Sequence, residues 1–294
     1  MSEKKVLITG LPEAGKTTFI AAFWHYISSF PQDKSIRVDN TADSEHEYLN
    51  AISEKWLQWA EFGRTISVSG ISQIKMKIVD THSQQKIVLN VPDIKGEVFR
   101  DNFNTRTWSR DFDSMATDLD GLILFLNPQE NNLAPKLIVH EHQLRDVFEG
   151  QDQKAELASE IIKTEDWSPN FTCIQVKVVE NLQLLKYYKI PGKKIRVSIV
   201  ISAWDSVIDK LPTEMKIIPE QWVEDFTPLL YQYLKCNSET FDLKYFGVSA
   251  QGCGFENKSK IKELSKLSPI ERILVQESST VDKDITKPIL WAIQ

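Results

Sequence analysis

Residues 6–18 constrain the fold of this chain more than any other stretch. A short run rich in β-branched residues, Val6-Leu7-Ile8-Thr9, reads as a buried strand. It passes into G-x-x-x-x-G-K-T, Gly10 to Thr17, after which Phe19, Phe23, Ile27 and Phe30 recur at helical spacing until Pro31. Strand, glycine loop and helix, in that order, is the context in which this motif cradles phosphate. The glycines let the backbone curl round an anion with no Cβ in the way. Successive N–H groups from Glu13 through Ala14, Gly15, Lys16 and Thr17 to Thr18 are then expected to converge at a helix N-terminus, whose dipole favours negative charge. Lys16 is placed for the β- and γ-phosphates, and the Thr17 hydroxyl for a Mg²⁺ ion. The stretch implies a nucleotide-binding protein.

Composition narrows the field. At 294 residues, 41% apolar and 26% charged, the chain can build a large core. A net charge of −6 argues against a general nucleic-acid or membrane-surface binder, which needs a basic field. Cys173, Cys236 and Cys253 show no C-x-x-C spacing and read as buried thiols. The phosphate loop starts at residue 10, which leaves no room for a cleaved leader. The longest apolar runs, 121–126 and 197–203, fall far short of a membrane span. A cytoplasmic location, with no direct membrane insertion, is the expectation.

Downstream, residues 31–40 look polar and turn-like. From Ser44 a helix is expected, with Leu49, Ile52, Trp56 and Trp59 on one face and Ser44 and Glu47 at capping-box spacing. The tryptophans read as core. Ile74, Met76 and Ile78 alternate with lysines, and residues 86–91 form a second limb across a polar turn, an antiparallel hairpin. This limb runs into Pro92-Asp93-Ile94-Lys95-Gly96-Glu97. Residues 121–127 read as a strand buried on both faces. Residues 171–189 fit either alternation or a helix, with length favouring helix. Residues 194–203 form a further buried strand that delivers Ser202-Ala203-Trp204-Asp205. Another helix is expected within 206–239, then a strand ending Val248-Ser249-Ala250-Gln251, and a short closing helix over 284–291 with Pro288 in its first turn. His140 and His142 lack metal-ligand spacing and read as exposed.

These motifs, in this order, resemble the Ras-like, translation-factor-class (TRAFAC) P-loop GTPases. The resemblance covers 1–30, 63–127, 171–205 and 240–294. It implies that Asp93 holds Mg²⁺ through water, that Gly96 senses the γ-phosphate, and that Thr65, ahead of the hairpin, coordinates Mg²⁺. Arg64 beside it reads either as an arginine finger in cis or as a solvated residue. Glu97 stands where such enzymes usually carry the glutamine that orients the attacking water. A carboxylate there repels the γ-phosphate, so slow intrinsic hydrolysis is expected. Asp205 matches the aspartate of N-K-x-D that pairs guanine N1–H and N2–H₂, while Ser202 and Ala203 replace the asparagine and lysine, which leaves guanine choice open. Trp204 either supplies the missing stacking surface or packs inward. Ser249, Ala250 and Gln251 match S-A-K, whose backbone amide meets guanine O6, with Gln251 in place of lysine.

More narrowly, G-L-P-E-A-G-K-T-T-F, P-D-x-x-G-E and D-I-T-x-P-I-x-W look like the bacterial double-GTPase group of conflict and anti-phage systems. The expected fold is α/β: a Ras-like three-layer α/β/α sandwich with a mostly parallel sheet and one antiparallel edge strand. It would be a single domain over 1–294, with helical insertions at about 31–62, 128–170 and 206–239. The implied function is a GTP-binding and GTP-hydrolysing regulatory switch using Mg²⁺ and GTP/GDP, with Lys16, Glu97 and Arg64 in catalysis. Protein partners encoded nearby are implied, with no nucleic acid. A P-loop small-molecule kinase or ATPase, and a hydrolysis-deficient binding module, are the alternatives.

Overall fold

The structure is a computed structural model and describes residues 3–29, 35–39, 43–62, 73–91, 97–108, 110–129, 133, 169, 172–187, 192–212 and 216–294. Nine strands form one sheet: β1 (Lys4–Thr9), β2 (Ile36–Val38), β3 (Ile74–Asp80), β4 (Lys86–Val91), β5 (Gly121–Leu126), β6 (Ile195–Ile201), β7 (Phe241–Ser249), β8 (Leu274–Glu277) and β9 (Thr280–Asp282), in the spatial order β2-β3-β4-β1-β5-β6-β7-β8-β9. The five central strands, β4-β1-β5-β6-β7, are parallel. Antiparallel pairing flanks them on both sides, β2-β3-β4 at one and β7-β8-β9 at the other. The α/β architecture is the expected one, but antiparallel content extends to both edges rather than one. β2 lies in the stretch read as polar and turn-like, and β8 and β9 are not anticipated from the sequence. Each is only three or four residues long, too short to show a period.

Alternation along the central strands feeds two cores. Val6, Ile8, Ile123, Phe125, Val200, Phe246 and Val248 point to one face, where α1 (Lys16–Ser29) and α2 (Asp43–Leu57) pack. Leu7, Leu122, Leu124, Leu126, Val197, Ile199 and Ile201 point to the other. There they meet α4 (Arg110–Ala116), α5 (Ile174–Tyr187), α6 (Trp204–Ile208), α7 (Pro219–Phe226) and α8 (Pro228–Cys236). α3 (Glu97–Thr105) packs beside α5, and α9 (Lys258–Leu264) lies on the surface. Each fully buried aliphatic side chain contributes about 1.5–3 kcal/mol, so the two faces together supply the main driving force.

α10 (Lys287–Ile293), with Pro288 in its first turn as expected, lies across β1, β5 and β6. It comes so close that a Cβ at Gly121 would fall 2.1 Å from the Ala292 carbonyl oxygen, and Ser198 Oγ donates to Pro288 O at 2.6 Å.

Other expectations shift locally. The single helix expected within 206–239 is two, α7 and α8, because Pro228 has no N–H to continue the first; Thr227 closes it, donating from Oγ1 to Val223 O at 2.8 Å. Residues 97–105 and 110–116 form α3 and α4, with Phe103 and Phe112 buried. α2 begins at Asp43, so Ser44 lies within its first turn rather than at its cap. Trp59 falls beyond the helix end at φ +57°, off the face that Leu49, Ile52 and Trp56 share. Cys173 and Cys253 are buried, whereas Cys236 is exposed; all three are free thiols. Nearly all of 128–170, including His140 and His142, lies outside the described residues. Among the described residues no helix is long and apolar enough to cross a membrane.

Candidate nucleotide site

Parallel strands put their carboxyl ends on one edge, where ligands of open α/β sheets bind. β1 ends there in the glycine loop, β5 in Asn127, β6 in Ser202 and β7 in Ala250. Between them lies a cleft of about 250 Å³. Its lining brings together Glu13, Gly15 and Thr18 from the first loop and the start of α1, Ser202 and Asp205 after β6, and Ser249, Ala250 and Gln251 at the end of β7. These eight sequence candidates come from three segments of the chain, whose extremes, Glu13 and Gln251, lie 238 positions apart.

The phosphate loop needs its glycines. Gly15 sits at φ +86°, and a Cβ on it would fall 2.6 Å from Ser202 Cβ. At Gly10 (φ +151°) a Cβ would lie 2.9 Å from the Phe125 carbonyl oxygen. Glu13, at φ +63°, completes the curl, and Asn127 Nδ2 donates to its carbonyl at 2.9 Å. Ala14 is buried in the core below the loop. Lys16, only 4% exposed, bonds through Nζ to the carbonyls of Gly10 (2.7 Å) and Leu11 (2.8 Å), which holds its ammonium inside the loop. Thr17 and Thr18 follow in the first turn of α1, both half-buried. A cradle that closes around a Cβ-free backbone, with one buried ammonium inside it, fits a chain of phosphates.

The opposite end is built from side chains. Asp205 lies in the first turn of α6, whose N-cap, Ala203, adopts a left-handed conformation (φ 44°, ψ 42°). Ser249 Oγ donates to Asp205 Oδ1 and accepts from the Gly252 N–H at 3.1 Å, so one hydroxyl ties the carboxylate to the next loop. Burial pushes the Asp205 carboxyl up from the ordinary carboxylate range; the Ser249 hydrogen bond and the charge of Lys260 pull it back only in part. Ser202 donates from Oγ to Leu126 O at 3.2 Å and packs on Gly15, so the residue in the asparagine's place braces the phosphate loop.

Trp204 does not face the cleft. Its ring is fully buried, seated where a Cβ on Gly247 would be 2.3 Å away, and its Nε1 donates to Gln276 Oε1 at 2.8 Å. A stacking surface from Trp204 is therefore ruled out by packing, since the ring is spent on the core and the hydrogen bond. The sequence reading missed the apolar wall of Phe19 and Phe125 and the rim of Cys253, Gly254, Phe255 and Glu256. The two glycines around Cys253 were the available signal for that rim, a loop continuing the cleft.

Four candidates, Arg64, Thr65, Asp93 and Gly96, lie outside the described residues; Glu97 begins α3, but its side chain is also outside them. Among the described residues no cluster of three or more His, Cys, Asp or Glu forms a metal site.

Several solved structures are similar to this chain at low identity. They include a bacterial selenocysteine-specific elongation factor, EF-Sec (13% identity, 92% of this chain and 30% of that one, TM-score 0.36). The Saccharomyces cerevisiae Ski7 GTPase-like domain bound to GTP is similar at 12% identity over 87% of this chain and 45% of that one, TM-score 0.43. A signal recognition particle receptor SRb-GTP/SRX complex from Chaetomium thermophilum matches at 11% identity over 90% and 99%, TM-score 0.36. The chain thus spans less than half the length of the first two. No curated protein matches it. The profile of the Double-GTPase 1 family matches residues 7–292. With its glycine loop, parallel strand ends and cleft joined in one sheet, the chain belongs to the Double-GTPase 1 family of P-loop GTPases.

Proposed function

We propose that the chain is a GTP-hydrolysing regulatory switch, bacterial and cytoplasmic, that acts with proteins encoded beside it in a defence or conflict system. One observation carries the nucleotide reading: the cleft whose one end is lined by Glu13, Gly15 and Thr18 of the phosphate loop and whose other end is Asp205 with Ser249 to Gln251. A triphosphate at the first end and a purine at the second fill it in one orientation.

In this reading the amides of residues 13–18 grip the phosphates, and Lys16 exchanges its bonds to the loop carbonyls for the β- and γ-oxygens. The Thr17 hydroxyl, with Thr65 and Asp93, would hold Mg²⁺, which neutralises charge on the β- and γ-phosphates when bound. The Asp205 carboxylate accepts guanine N1–H and N2–H₂, and a main-chain amide of Ala250 or Gln251 donates to O6. Glu97 accepts a hydrogen bond from the water that attacks the γ-phosphorus, releasing GDP and phosphate. Its negative charge keeps the step slow unless a partner intervenes, and Arg64 is the residue of this chain that would offset it. Gly96 reports the γ-phosphate to the segment that follows. One domain, 1–294, contains all of these groups.

Calorimetric titration with GTP and ATP tests the base end; GTP should bind at least tenfold more tightly, about 1.4 kcal/mol. Equal affinity, or ATP preferred, ends the guanine assignment. Lys16→Ala should lower affinity for either triphosphate on the order of a hundredfold, the loss of two charge-assisted hydrogen bonds. Affinity unchanged by that substitution would remove the cradle from the site.

A further inference from the structure

Behind the base end of the cleft sits a buried cation to which no role has yet been given. Arg272 is 4% exposed, and among the described residues no carboxylate pairs with it. Its guanidinium lies between two indoles, 3.9 Å from the Trp56 ring and 4.5 Å from the Trp59 ring. Nη2 donates to the Trp56 main-chain carbonyl at 2.7 Å, while Nε is buried without a hydrogen-bond partner. Burial draws its pKa down to about 10. A hydrophobic side chain would fill such a space at less desolvation cost than an ion. What arginine adds is a flat fork that stacks on aromatic faces while donating in a fixed direction.

Trp56 passes that order to the cleft. Its Nε1 donates to the Ala250 carbonyl at 3.0 Å, and its own carbonyl also accepts from Gln251 Nε2 at 3.4 Å. Gly252, at φ +95°, lets the Arg272 backbone approach; a Cβ there would be 2.8 Å from the Arg272 carbonyl oxygen. The loop after β7 is thus held from behind at three successive residues. The consequence follows from peptide geometry. In a planar trans peptide C=O and N–H point in opposite directions. Anchoring the Ala250 oxygen on Trp56 therefore directs the Gln251 N–H away from Trp56.

We propose that Arg272 and Trp56 are positioning residues for base recognition, fixing the Ala250–Gln251 peptide so that its N–H meets the 6-oxo group of a guanine nucleotide. The proposal rests on the guanine reading of the cleft. It adds that recognition of the 6-oxo edge depends on residues that never touch the base, separately from recognition of the 2-amino edge by Asp205.

Two analogues separate the edges. 6-Thio-GTP keeps N1–H and the 2-amino group but offers a larger, poorer acceptor in place of O6; ITP keeps O6 and lacks the 2-amino group. The wild-type protein should prefer GTP to each by about tenfold, one hydrogen bond's worth. In Arg272→Met the preference over 6-thio-GTP should fall to about twofold or less, while the preference over ITP stays. Arg272→Lys, which keeps a donor for the Trp56 carbonyl, should restore part of it. Trp56→Phe, which keeps a ring face and removes the Nε1 donor to Ala250, should reproduce the Arg272→Met pattern and carries the test if that variant does not fold. Equal loss for all three nucleotides, or no change in either ratio, overturns the proposal. A wild-type protein that fails to prefer GTP to ATP overturns the guanine reading itself, a distinct outcome.

Discussion

Asp120 and Asp205 sit at opposite ends of the same parallel strands, and their environments are opposites. Asp120 lies at the amino ends, where it accepts from Lys193 Nζ at 2.5 Å, Lys4 Nζ at 3.1 Å and the Lys5 N–H at 2.9 Å. Burial would raise its pKa, but these partners outweigh burial and hold it below the usual range. Asp205, at the carboxyl ends, has a serine hydroxyl and a more distant lysine, and burial wins. The amino ends are electrostatically complete. The carboxyl ends keep a carboxylate short of donors, which is the state a donor-rich ligand edge would complete, and perturbed groups in clefts mark functional sites for this reason.

The strongest way to break the contrast is Asp205→Asn. It should weaken GTP about ten- to a hundredfold, the worth of hydrogen bonds to a charged group, and improve xanthosine triphosphate, as competition binding would show. Stability should hold or rise at neutral pH. A carboxylate whose folded pKa is raised costs stability once pH passes its unfolded pKa, and the amide removes that cost.

Asp120→Asn should do the reverse, leaving GTP affinity intact and lowering stability by about 1 kcal/mol in denaturant titrations near neutral pH. Here the folded pKa is depressed, so the stabilisation is present above the unfolded pKa and is lost as pH falls through the folded one. The difference between wild type and variant should accordingly shrink in acid. A constant difference across pH would show that packing, not charge, set it.

A smaller effect concerns the acid limb of GTP binding. It should begin at higher pH than an unperturbed aspartate gives, because the protonated Asp205 no longer accepts from the base. Smallest of all, Ser249→Ala removes the hydrogen bond that lowers the Asp205 pKa, so the limb should move further up. A limb that stays in place would detach Ser249 from that carboxylate.

The two halves of the cleft also differ in how much of them a linear reading can find. Phosphate is held by main chain, which demands glycine at Gly10 and Gly15 and a lysine at a fixed offset, so spacing alone exposes it. Strand runs such as 121–126 and 195–201 are equally legible, because both faces are covered and the apolar run is unbroken. The base end depends on partners distant in the chain. Trp56 meets Ala250, and Arg272 meets Trp56, only after the sheet has closed, and each alone looks like an ordinary core or surface residue. Trp204 shows the limit from the other side: its place beside Asp205 suggests a stacking role, yet the missing Cβ of Gly247 draws the ring into the interior.

The bare backbone at Gly121 has a consequence for translation. α10 settles onto β1, β5 and β6 only because nothing projects there, and its Ile289, Ala292 and Ile293 join the same apolar face as Ile123 and Val200. Every strand it covers leaves the ribosome before it does. Until residue 293 emerges, the part of that face over β1, β5 and β6 lacks one of its covering helices, so the sheet that carries the phosphate loop is completed by residues 287–293, long after the loop itself has been made.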